Sequence, residues 1–215
     1  MFRTLLIALA GGWLIACTAP TAKETEQTSD NDMTELPVDP HSYAHPNEAR
    51  ITHLNWVATV NFEKEVIEAT ATFDLQKKSD AVEVILDTYE LDIHGVTDQD
   101  GNALQWELGD MDEILGAPLS IGIEENTAQV SISYTTSPGA RALQWLDPEQ
   151  TAGKELPFLF TQSQAILART WIPVQDSPGI RYTYTAEVTV PSDMLALMSA
   201  TNPTEKNETG TYNFT

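Results

Sequence analysis

The feature that most constrains this chain is a succession of short β-forming runs with no capped helical period between them. Residues 51–62 and 66–75 are rich in Val, Ile, Thr, Phe and Trp, alternate in part, and are separated by Glu63-Lys64-Glu65, a hairpin-length gap. Residues 82–86 form a short buried-strand candidate. Residues 91–96 and 103–108 flank Asp98-Gln99-Asp100-Gly101-Asn102, a turn in which Gly supplies positive φ cheaply. Residues 118–123, 129–134, 180–190 and 195–199 continue the series. Many short strands at near-regular spacing predict an all-β domain of mostly antiparallel, curved, sandwich-like sheets over about residues 41–215. Hydrophobic residues make up 41% of the chain, enough to build a core, and a single cysteine, Cys17, excludes an internal disulfide and any cysteine-based zinc finger. The fold must hold by packing.

Charge narrows the partners. Eleven Lys and Arg face 32 Asp and Glu, for a net charge of −21, so phosphate backbones and anionic headgroups are repelled and nucleic-acid binding is excluded. Catalysis needs a nucleophile with its base, a metal cluster or a carboxylate pair. The four histidines, His41, His45, His53 and His94, are scattered, and His41 and His45 flank Ser-Tyr-Ala just before Pro46, where a rigid ligand pair does not form. No His-Glu-x-x-His, Gly-x-Ser-x-Gly, phosphate-cradling glycine loop or dinucleotide fingerprint is present. The expectation is a chain with no catalytic residues and no metal ligands of its own.

The first forty residues read as an address and a leash. Met1-Phe2-Arg3 is a basic start, and the apolar run 4–14 is too short to cross a hydrocarbon core of about 30 Å with ordinary flanks. It fits a secretory apolar region and ends Leu14-Ile15-Ala16-Cys17, which resembles the lipobox of bacterial lipoproteins. That resemblance implies a signal peptide over 1–16, a lipidated Cys17 and, with uncharged Thr18 following, an envelope protein anchored in the outer membrane and facing the periplasm. Residues 18–40 have no aromatic side chain and are rich in Thr, Glu, Asp and Pro, so residues 17–40 are expected to be a disordered tether with an end-to-end distance of about 26 Å.

Residues 141–178 differ from the rest. Gln144, Gln150, Gln162, Gln164 and Gln175 lie among Trp145, Trp171 and four prolines, and so long a connection in a β domain is usually functional. A helical turn is expected near 165–171. The runs Ala142-Leu143-Gln144-Trp145-Leu146, Pro148-Glu149-Gln150-Thr151, Phe158-Leu159-Phe160-Thr161-Gln162-Ser163-Gln164-Ala165, Ile172-Pro173 and Gln175-Asp176-x-Pro178 resemble the leukotriene A4 hydrolase branch of the aminopeptidase N (family M1) zinc peptidases. The likeness extends through Tyr182-Thr183-Tyr184-Thr185-Ala186-Glu187-Val188 to Ala196-Leu197-Met198-Ser199-Ala200.

The resemblance implies a saddle-shaped β domain that walls the substrate cleft of a zinc aminopeptidase and precedes its catalytic domain. Zinc and the general base would belong to that catalytic domain, which is absent from these 215 residues. The family's substrate-contacting segment falls on Gln162, Ser163, Gln164 and Ala165, with Gln164 the main contact to the free amine of a peptide N-terminus. A glutamine carbonyl accepts from an ammonium without titrating. Arg169 and Asp176 are expected to be structural, and Trp145 and Trp171 to serve packing. The final residues, Gly210 to Thr215, look like a strand cut before its partner arrives, which suggests a fragment. The alternative is a stand-alone β-sandwich binding or interaction lipoprotein without catalysis.

Overall fold

A computed structural model describes residues 33–215. Cys17, the expected signal peptide and most of the expected tether lie outside the described residues.

Among the described residues eleven strands form three sheets. β1 (Ala49–Asn61), β2 (Val66–Lys77), β4 (Asp92–Asp98), β7 (Gln129–Thr135), β10 (Thr183–Thr189) and β11 (Thr211–Phe214) make a six-stranded sheet in the order β11-β10-β1-β2-β7-β4. β3 (Glu83–Thr88), β5 (Trp106–Leu108) and β6 (Ala117–Gly122) make a three-stranded sheet in the order β3-β6-β5, and β8 (Leu143–Leu146) pairs with β9 (Phe158–Thr161). All pairings are antiparallel except β1 with β10. The all-β expectation is met. Among the described residues the helical segments are 3-10 turns, at Pro148–Gln150 and Ala168–Thr170, the second inside the expected helical turn.

Alternation decides which face is buried. Along β1, Leu54, Trp56, Ala58 and Val60 point to the core, and register aligns them with Phe73, Ala71, Ala69 and Ile67 of β2. Val130, Ile132 and Tyr134 of β7, Ala186 and Val188 of β10, and Tyr212 and Phe214 of β11 complete that layer. Val84 and Leu86 of β3 and Leu119 and Ile121 of β6 are buried from the three-stranded sheet. On the opposite face of the large sheet, register lines up Thr185, Asn55, Thr72, Ser131 and Thr97 across five strands, all exposed or half-buried.

Three expectations change. Residues 195–199 are irregular, with a bend at Ser199, instead of a strand, and Ala196 is buried while Leu197 is exposed. The last residues do find a partner: β11 pairs with β10, Tyr212 opposite Val188 and Phe214 opposite Ala186. A tight turn at Gly210 makes this possible, because φ is +69° there and a Cβ would collide with the Val190 carbonyl. The end of the expected tether is also docked. The Leu36 N–H donates to Asn47 Oδ1 at 2.8 Å, Asn47 Nδ2 returns a bond to the Leu36 carbonyl at 2.9 Å, and Ser177 Oγ donates to Asp39 at 2.7 Å.

Candidate functional site

The 147–182 connection is built on a buried charge cluster. Arg169 is fully buried and donates from Nη1 to the Leu115 carbonyl (2.7 Å), from Nη2 to the His41 carbonyl (2.7 Å) and from Nε to the Asp176 carboxylate (3.2 Å). Asp87, also fully buried, lies 3.7 Å from the guanidinium and accepts from Ser42 Oγ (2.6 Å), the Tyr43 N–H (2.7 Å) and the Asp176 N–H (2.9 Å). Burial pushes the Asp176 carboxyl above the usual range, and the Arg169 bonds oppose that push. The cluster joins the N-terminal segment, β3 and the long connection at one point, so the structural reading of Arg169 and Asp176 agrees with its geometry. Sequence alone does not single out Asp87, since one acid among 32 carries no mark of its burial.

Gln175 is buried as well. Its Nε2 donates to the Ala49 carbonyl at 2.9 Å and its Oε1 accepts the Ile51 N–H at 3.1 Å, beside the irregularity in the β1–β2 ladder. The other glutamines of this stretch separate by what their amides do. Gln144 donates to the Arg141 carbonyl (3.2 Å), and Gln150 Oε1 accepts the Asp147 N–H (2.9 Å). Gln162 Oε1 accepts the Gln164 N–H at 3.0 Å. Gln164 alone of the five makes no side-chain hydrogen bond among the described residues, and it is exposed.

The four expected contact residues leave β9 as a turn, not as an extended strand. The Gln162 N–H donates to the Ala142 carbonyl (2.8 Å), the Leu167 N–H to the Ser163 carbonyl (2.8 Å), and the Gln164–Ala165 peptide bond is cis. Gln162, Gln164 and Ala165 are exposed and Ser163 is half-buried, its Oγ accepting from Trp171 Nε1 at 3.1 Å. Strand alternation therefore does not separate Gln162 from Gln164; what separates them is that Gln162 holds the turn and Gln164 is presented by it.

Beside the turn lies an apolar groove of about 900 Å³, lined by Leu54, Trp56, Trp171, Tyr184, Leu195 and Met198 among others. Of the four turn residues only Ser163 lines it. Trp171 packs edge-on against Trp56 with ring centroids 5.3 Å apart, and Trp145 against Phe62 at 5.4 Å, so both tryptophans serve packing. Phe158 and Phe160 at the rim are 53% and 44% exposed.

The histidines do not converge. His41 Nδ1 pairs with Asp39 (3.1 Å), His53 Nδ1 with Thr183 Oγ1 (2.7 Å) and His94 Nε2 with Thr135 Oγ1 (3.2 Å). Among the described residues no three His, Cys, Asp or Glu side chains come together as a metal site. What this surface can do chemically is accept and donate hydrogen bonds at Gln164 and offer apolar area next to it.

Residues 46–215 match the model of the peptidase M1 N-terminal domain. The chain is 38% identical over 176 residues to leukotriene A-4 hydrolase of Xenopus laevis, covering 79% of this chain and 29% of that protein. It is 33% identical over 179 residues to leucine aminopeptidase 2 of Yarrowia lipolytica, covering 82% and 27%. Among solved structures, yeast LTA4 hydrolase in complex with bestatin superposes with a TM-score of 0.74 at 29% identity, over 84% of this chain and 28% of that one. The M1 zinc metallopeptidase of Deinococcus radiodurans, at 16% identity and a TM-score of 0.58 over 78% of this chain and 38% of that one, shares the fold. The chain spans less than a third of the length of these curated relatives. It belongs to the M1 peptidase family, as an N-terminal domain of that family.

Proposed function

We propose that this chain is the substrate-pocket domain of a membrane-anchored zinc aminopeptidase that removes N-terminal residues from peptides, contributing recognition and no chemistry of its own. The observation that carries the reading is the sorting of the glutamines. Gln162 has its carbonyl committed to the turn, whereas the Gln164 carboxamide is exposed and free of protein partners among the described residues. An idle amide on a braced turn suits a group that accepts from the ammonium of a peptide N-terminus, and the carboxamide holds the cation without adding a charge. Ala165, exposed beside it, leaves room for the first side chain of the peptide.

The relatives include proteins named M1 zinc metallopeptidases, which makes Zn2+ a reasonable cofactor for a complete enzyme. The described residues of this chain do not fit that ion, so zinc would be held by the catalytic domain. The anchoring part of the reading is supported by the sequence Leu14-Ile15-Ala16-Cys17, and it would put the domain in the cell envelope, at the outer membrane facing the periplasm.

Two measurements test the proposal. Zinc content and aminoacyl-arylamide turnover are compared for this chain alone and for the chain joined to a catalytic domain of its family. The expected result is turnover and one zinc in the joined protein only; turnover by this chain alone overturns the reading. For the anchor, incorporation of a tagged palmitate analogue in cells should vanish in Cys17→Ser, and undiminished labelling would refute it.

A further inference from the structure

The Gln164 turn is tied to the middle of the large sheet by hydrogen bonds that begin in the core. Trp56 Nε1 donates to Tyr134 Oη (3.0 Å), Tyr134 Oη donates to the Trp171 carbonyl (2.9 Å), and Trp171 Nε1 donates to Ser163 Oγ (3.1 Å). The two indoles meet edge-on at 5.3 Å, so Trp171 is fixed from its ring and from its backbone. Tyr134 is 1% exposed, and burial pushes its hydroxyl well above the usual range, so it stays a neutral donor. Ser163 is the residue immediately before Gln164, and its carbonyl takes the Leu167 N–H at 2.8 Å. It is thus held from the side chain by Trp171 and from the backbone by Leu167.

We propose that Trp171 is a positioning residue, whose core-anchored indole N–H clamps Ser163 and so holds the 162–167 turn in the one orientation that presents the Gln164 carboxamide. The inference rests on the reading of Gln164 as the amine contact, and it gives Ser163 a holding part in place of a contacting one. The physical gain is preorganisation. An exposed turn without the clamp would have to be ordered when a peptide binds, and that ordering opposes binding.

A residue that only packed the core would leave the turn alone, and this separates the two roles. The probe is amide hydrogen exchange on this chain, with Ser163→Ala as the main variant because it removes the acceptor and leaves the Trp56–Trp171 contact in place. Exchange at Leu167, at Gln164 and at the Trp171 indole should rise about five- to tenfold, the effect of losing one neutral hydrogen bond. Ser163→Thr should restore protection. Trp171→Phe should match Ser163→Ala at the turn and add nothing to it in the double variant. Unchanged exchange in Ser163→Ala, or a rise spread equally over β1 and β2, overturns the clamp. In the enzyme carrying its catalytic domain, Trp171→Phe should raise KM about 2- to 10-fold with kcat within about twofold, and an unchanged KM overturns the positioning role. Exchange is read without substrate, so a failed clamp shows there. A failed substrate reading shows instead as Gln164→Ala kinetics equal to wild type with the clamp intact.

Discussion

Arg169→Met should be among the most destabilising single changes in this domain. Methionine keeps an apolar stem of similar reach, so the loss is the guanidinium. Removing it orphans the Leu115 and His41 carbonyls, each now bonded at 2.7 Å. It also leaves Asp87, fully buried, and Asp176 as like charges without their cation. Breaking one side of a buried ion pair costs about 3–5 kcal/mol, because the partner charge stays desolvated. For a domain of this size that corresponds to a fall of roughly 6–20 °C in melting temperature. Urea melts and thermal melts followed by tryptophan fluorescence measure it. Arg169→Lys should fall between the two, since a point charge cannot reach two carbonyls and a carboxylate at once. Asp176→Asn in the Arg169→Met background should recover part of the loss by removing one orphaned charge. A loss below about 1 kcal/mol, or no recovery in the double variant, would refute the claim that this cluster joins the N-terminal segment to the long connection.

Two further outcomes follow from the same geometry. Gly210→Ala should destabilise by more than about 1 kcal/mol, because positive φ is costly for alanine and its Cβ would strike the Val190 carbonyl; amide exchange should locate the damage in β10 and β11, and a uniform loss would contradict it. Asp39 should make stability pH-dependent. The Ser177 hydroxyl, and after it the His41 N–H, hold its carboxyl below the usual value, so its contribution is present above about pH 4 and lost as pH falls through the lowered folded value. The urea midpoint of Asp39→Asn should therefore trail wild type at pH 6 and converge with it on acidification; a gap that persists at low pH would show the carboxylate is not the cause.

Legibility in the sequence followed physical independence. β1, β2 and β7 alternate because one face is core and the other solvent, and a period of two is visible without any partner. β8 and β9 carry no such pattern. Both are four residues long, with only Leu143 buried between them, and separated by a loop that obscures their pairing. The parallel pairing of β1 with β10 joins His53 to Thr183 across the length of the domain, and no local signal encodes it. At the site, the resemblance picks out Gln162, Ser163, Gln164 and Ala165 together, whereas their differing jobs depend on where Trp171 and the 164–167 turn lie in space. The role of Trp171 depends on Tyr134 and Trp56, which sit on two strands remote from it in sequence.

The most direct test of the account is the kinetics of Gln164→Ala in the complete enzyme, with Gln162→Ala beside it. If the Gln164 carbonyl accepts from the substrate ammonium, the variant loses a charge-assisted hydrogen bond of about 1.5–3 kcal/mol. Its kcat/KM on an aminoacyl arylamide should then fall roughly 10- to 150-fold. Its melting temperature should not move, because the side chain has no hydrogen-bond partner to lose among the described residues. Gln162→Ala should lose a bond that braces the turn but no contact to the ammonium, and so cost less activity than Gln164→Ala and more stability. Wild-type kinetics in Gln164→Ala, or an activity loss that comes with a large drop in melting temperature, would contradict the claim that this amide reads the peptide N-terminus.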